Sequence, residues 1–176
     1  MFQRHSLLNK MRNLINIKRA VLEIANLLAQ DEMLCKLLVN DTASAMTDAA
    51  PSKTINDLIQ ENYISIFPPV ENRIEEYGRN TFVSILVDNI NGDSTTLHTT
   101  IVVYVSTNAD HILLNNNKNR LLEAVDRINT KLQNQKITAA GKLDITNISH
   151  VMLSEFHSGY KINIRFEDQA TGNGEI

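Results

Sequence analysis

The run Tyr160-Lys161-Ile162-Asn163-Ile164-Arg165-Phe166-Glu167 alternates apolar and polar residues without a break. Successive strand side chains point to opposite faces. The run therefore predicts a strand with a dry face of Tyr160, Ile162, Ile164 and Phe166 and a wet face of Lys161, Asn163, Arg165 and Glu167. It also closes a longer pattern. Two apolar, β-forming runs, Phe82–Val87 and His98–Ser106, come first, and Asn91-Gly92 between them is a strong hairpin signal. Their nearly continuous apolar character predicts central strands covered at least partly on both faces. A helix over Asn117–Leu132 follows, with Asn115-Asn116-Asn117 as its cap and Leu121, Leu122, Val125, Ile128 and Leu132 as its apolar stripe. Gly141 and Leu143–Ile148 predict a third strand, and a loop over Ser149–His157 leads to the closing one. The fold class is α+β: a four-stranded, mostly antiparallel sheet (hairpin, helix, two strands) backed by helices, with an N-terminal helical segment.

The chain divides into four stretches of one domain. Residues 1–40 are helical in character: Leu7, Met11, Leu14, Ile15, Lys18, Val21, Leu22, Ala25 and Leu28 recur at spacings of three and four, with Ser6 as a cap. Asp31 caps either a bend or a second helix carrying Met33, Leu34, Leu37 and Leu38. Residues 41–80 are extended loop with a short helix near Thr54–Gln60. There Tyr63-Ile64-Ser65-Ile66-Phe67-Pro68-Pro69-Val70 is apolar, and its prolines forbid a central strand position. Such a segment needs cover from the core or from another subunit. Residues 81–168 form the α+β core, and 169–176 a loose tail.

A net charge of −3 argues against a general nucleic-acid binder. The first twenty residues nonetheless carry Arg4, Lys10, Arg12, Lys18 and Arg19 and no acid, which is either a solvated helix face or a contact for an acidic partner or DNA phosphates. Polar residues interrupt every apolar stretch, so neither a secretory signal nor a membrane span is expected. The single cysteine, Cys35, sits among leucines and reads as a small buried hydrophobe. His150, Glu155 and His157 lie close in sequence, but their spacing matches no metal-binding signature. No phosphate-binding loop, dinucleotide fingerprint or nucleophile elbow occurs. The expectation is a protein without catalytic residues, metal or cofactor.

The order of parts resembles one known family, the tail terminator and tail-completion proteins of tailed bacteriophages. The likeness rests on the helix with Asp31-Glu32-Met33-Leu34-Cys35-Lys36-Leu37-Leu38, the extended Ile64–Val70 segment, the hairpin Phe82–Ser106, the helix Asn117–Leu132, Gly141-Lys142-Leu143, and the Gly159-Tyr160 entry into the last strand. The resemblance implies a ring-forming virion subunit, typically sixfold, that caps the tail tube and offers a surface to the neck or connector. Its partners would be further copies of itself, the tube protein (with a sheath protein if the tail contracts) and a neck protein, with DNA passing through the lumen unbound and no membrane. Ile66, Phe67, Pro68, Pro69 and the hairpin tip Asn91, Gly92 and Asp93 are the expected ring contacts, and Asp88 and Asp93 would suit a non-sticking wall. Alternatives are another neck ring protein (stopper or connector), a regulator binding nucleic acid through the basic N-terminal helix, and an enzyme using His150 and His157.

Overall fold

The computed structural model describes residues 2–66, 80–92, 96–138 and 140–169, with side-chain surroundings for 15–66, 80–90, 98–138 and 140–166. Helix α1 runs from Phe2 to Ala29 and α2 from Glu32 to Val39. They are two helices, broken at Asp31, whose extended backbone lets its carboxylate accept from the Leu34 amide at 2.9 Å. Helix α1 starts ahead of Ser6, which lies inside it rather than capping it. Its buried row is Ile17, Ala20, Ile24, Ala25 and Leu28, whereas Ile15 is 52% and Leu22 38% exposed. The expected stripe thus holds at Ala25 and Leu28 and is rotated toward Ile17, Ala20 and Ile24 elsewhere. Two apolar rows share this helix, and the one without Lys18, offering small Ala20 for close packing, faces inward.

Helix α3, Ile55–Gln60, opens with a capping box in which Thr54 and Asp57 each bond the other's backbone. Leu58 is its buried residue, with Ile55 and Ile59 half-buried. Strand β1, Ile64–Ser65, pairs in parallel with Val83 and Ser84 of β2, Thr81–Gly92. The extended segment therefore does join the sheet, for two residues at an edge, ahead of the prolines. Phe67–Val70 lies outside the described residues.

Strands β2 and β3, Thr96–Asn108, form the expected hairpin, with a bulge between Val87 and Asn89. A 3₁₀ turn over Ala109–His111 leads to helix α4, Arg120–Leu132. Its cap is Asn119, whose side chain accepts from the Leu121 and Leu122 amides at 2.9 and 3.1 Å. The Asn115–Asn117 triplet instead makes the preceding turn, with Asn117 at φ 59°. Leu121, Ile128 and Leu132 are buried as expected and Val125 is half-buried, but Leu122 is 50% exposed and Ala124 takes an inward position.

Lys136–Ile137 (β4) and Gly141–Lys142 (β5) pair with each other in a small separate sheet. The third main strand, β6, is Asp144–Met152, so it neither begins at Gly141 nor ends at Ile148. Ser149–Met152, expected as loop, stays paired to β7, His157–Gln169. The main sheet is five-stranded, in the order β1-β2-β3-β7-β6, antiparallel except at β1. The four-stranded expectation lacked that parallel edge and the separate β4–β5 sheet.

Register sets the faces. Val83, Ile85, Val103, Val105, Ile101, Ile162 and Ile164 share the side that joins α1, α2, α3 and α4 in one apolar cluster. On the opposite side Phe82, Ser84, Val102 and Ser106 are also buried, so the central strands are covered on both faces as their apolar runs predict. The closing strand keeps its dry face, with Ile162, Ile164 and Phe166 buried and Tyr160 half-buried. Its other face is less wet than expected: Lys161 and Asn163 are half-buried and Arg165 is exposed.

Candidate functional site

Three features carry polar chemistry or exposed apolar surface: a buried arginine junction, the histidine end of β6, and the outer half of the hairpin. The junction is held by four hydrogen bonds from one side chain. Arg120, at the first turn of α4, is fully buried, yet among the described residues its guanidinium meets no carboxylate. Its Nε donates to the His111 carbonyl at 2.8 Å, Nη1 to those of Leu37 and Asn40 at 2.7 and 2.8 Å, and Nη2 to that of Thr42. The chain thus uses one cation to satisfy carbonyls at the end of α2, where the helix dipole is negative. Burial pulls the guanidinium pKa down, and the Asp41 and Asp48 carboxylates push it back up. Nearby, Arg127 bonds both oxygens of Asp31 at 3.2 and 2.9 Å, tying the α1–α2 break to α4. Arg120 does not stand out in the sequence, and Arg127 reads there as the i,i+4 partner of Glu123, which instead pairs with Lys118 at 2.9 Å. The available signal was a cation at the start of an amphipathic helix, where the dipole disfavours positive charge.

At the histidine end, His150 Nε2 lies 2.7 Å from Ser158 Oγ, and the His150 ring meets Tyr160 edge-on at 5.5 Å. His157 is buried, with Nδ1 3.4 Å from Ser154 Oγ and its ring 6.1 Å from Phe82. The two histidines take different faces of the sheet, since their ladder partners Tyr160 and Asn108 do. Among the described residues no three histidine, cysteine or acidic side chains gather where they would hold a metal ion. Cys35 is buried, its thiol pushed up to about 11, mainly by burial and then by Asp31 and Glu32, and its S–H donates to the Ala29 carbonyl at 3.2 Å. That environment suppresses the thiolate a nucleophile needs. A cleft of about 360 Å³ lies between α1 and β4, lined by Glu23, Asn26, Gln30 and Lys136. Glu23 there accepts from the Thr138 amide at 2.7 Å.

The hairpin's outer half is the third feature. Beyond the Val87 bulge, Asp88, Asn89 and Ile90 are all exposed, Ile90 by 41%. Of the expected ring contacts, Ile66 is half-buried just after β1, and Asn91 and Gly92 end β2 opposite His98 and Leu97. Phe67, Pro68, Pro69 and Asp93 lie outside the described residues. Ile66 follows the residue that pairs with Ser84 near the start of β2, whereas Asn91 and Gly92 form its far end.

The class these features define is a small α+β protein built on one mixed sheet under a helical layer. A family model matches residues 31–166, from the cap of α2 to Phe166 in β7, and the chain belongs to that family, YomW. No curated protein matches the chain. Among the described residues no helix is long and apolar enough to cross a membrane.

Proposed function

We propose that this chain is the ring subunit of a phage tail terminator, a structural virion protein that caps the tail tube and joins it to the neck. The observation that carries this reading is the outer half of β2, where Asp88, Asn89 and Ile90 stand clear of the helical cover. Exposed apolar surface on a long hairpin is suited to docking a neighbour, and a head-to-tail contact of that kind closes a ring when its rotation closes. The order of helix, hairpin, helix and two strands supports the same reading. The function is one of shape: subunits of 19.8 kDa assemble into a sixfold ring around a lumen that passes DNA without gripping it. The partners are the last tube ring, a sheath protein if the tail contracts, and the connector.

A stopper or connector ring is the nearest variant of the reading and differs in which ring it contacts. The test is mass in solution followed by negative-stain imaging with purified tail tubes. A particle of six chain masses that decorates tube ends supports the terminator, and one that binds only connectors supports a stopper. A protein that stays monomeric and binds neither removes the proposal. Lys18 and Arg19 are exposed on α1, so a gel shift at physiological salt checks the regulator reading, with no retardation expected.

A further inference from the structure

We infer that β6 is a pairing edge at which two copies of this chain join their sheets about a twofold axis at His150. Strand β6 ends the sheet, and β7 is its only described strand neighbour. The Leu153 amide donates to the His157 carbonyl at 3.0 Å, which fixes the alternation of the β6–β7 ladder. Val151 and Ser149 therefore turn their backbone groups toward β7, and Ile148, His150 and Met152 turn theirs to the open edge.

Edges of this kind are normally guarded by lysine, proline or an edge-twisting bulge. Here residues 145–154 contain no charged residue, proline or glycine. The one bulge lies between Ile145 and Asn147, leaving Asn147–Met152 in regular register. Two of the outward-turned residues are also exposed hydrophobics: Ile148 by 39% and Met152 by 62%.

The second copy is favoured over a foreign strand because the edge is complementary to itself. A twofold axis at His150 sets Ile148 opposite the partner's Met152, and Met152 opposite the partner's Ile148, so both exposed side chains gain an apolar neighbour. Every residue with outward backbone groups then meets another such residue, so all of them enter the new ladder. A shift of the axis to Ser149 would instead set Ile148 against a histidine and Met152 against a threonine. Twofold pairing also penalises charge, because each charged residue acquires a like-charged counterpart nearby, and the charge-free stretch avoids this. The inference does not rest on the ring reading.

The experiment is mass photometry and sedimentation equilibrium of the full chain and two variants. One is the double substitution Ile148→Lys with Met152→Lys, at positions already exposed, with the fold checked by circular dichroism. The other is His150→Pro, which removes an amide that β7 does not use. The wild type should contain an even number of chains, and both variants should show half its mass. That halving is expected whether the particle is a simple dimer or paired rings, so failure of the ring reading leaves it intact. A wild-type monomer at tens of micromolar, an odd-numbered particle, or an unchanged mass in the folded double variant would overturn the inference.

Discussion

Replacing Arg120 with methionine keeps an unbranched stem in the same space and removes the donors. The Leu37 carbonyl is bonded in a buried setting, and those of His111, Asn40 and Thr42 in partly buried ones. Stranding the first costs about 1–3 kcal/mol, and each of the others loses a net contribution of about 0.5–1.5 kcal/mol because water reaches it in part. Against this, the wild type carries the cost of desolvating an unpaired guanidinium, which methionine does not. The losses total about 2.5–7.5 kcal/mol, and with the relieved desolvation offsetting part of them the expected net destabilisation is about 3 kcal/mol. For a chain of this length that corresponds to a fall in Tm of roughly 10 °C. Urea unfolding followed by circular dichroism, at one fixed protein concentration, measures it as a shift in midpoint with an unchanged slope. Arg120→Lys should recover less than half, because an ammonium cannot reach four carbonyls placed for a planar fork. A loss below about 1 kcal/mol for Arg120→Met would refute the reasoning, since it would mean desolvation cancels the four bonds.

Three further outcomes follow from the packing. Gly159→Ala places a Cβ 2.7 Å from the Val105 carbonyl oxygen, a backbone atom that cannot swing aside, and should cost about 1–3 kcal/mol in thermal or urea unfolding. Cys35 should resist a thiol reagent at pH 8 in the native protein and react at once in 6 M guanidinium, since its pKa is raised to about 11; fast native labelling would contradict its burial. The Asp57 carboxylate, accepting from the Thr54 amide and hydroxyl, has its pKa held below the ordinary carboxylate range. A lowered folded-state pKa gives stability that is present above about pH 4 and is lost as pH falls through the folded value. Asp57→Asn should therefore flatten the acid limb of the stability–pH curve and leave its shape above pH 6 unchanged.

The closing strand and α4 were legible because each has a period that only one kind of element satisfies, and the hairpin because two β-forming runs flank a turn signal. The end of β6 was not, since Ser149-His150-Val151-Met152 has too few apolar residues to signal a strand and is held by pairing with β7 rather than by burial. The rotation of α1 was hidden because a helix with two apolar rows reads equally well from either, and the choice belongs to the surface it packs on. Asn119 was masked by the asparagines just before it, which are equally good caps by composition but are turned into a positive-φ bend at Asn117. The parallel pairing of Ile64–Ser65 was obscured by the prolines that follow. Arg120 illustrates the deepest limit. Its partners are carbonyls, which every residue owns, so no pattern of side chains announces them.

The segment shared with the YomW family begins at Asp31, one helix after the core does. Ile17, Ala20, Ile24, Ala25 and Leu28 of α1 are buried in the same cluster as Val83 and Ile85. The unit of sequence kinship and the unit of folding are therefore offset along this chain. A fragment starting at Asp31 would retain the matched segment and lose an entire wall of its interior, leaving an apolar trough open to water.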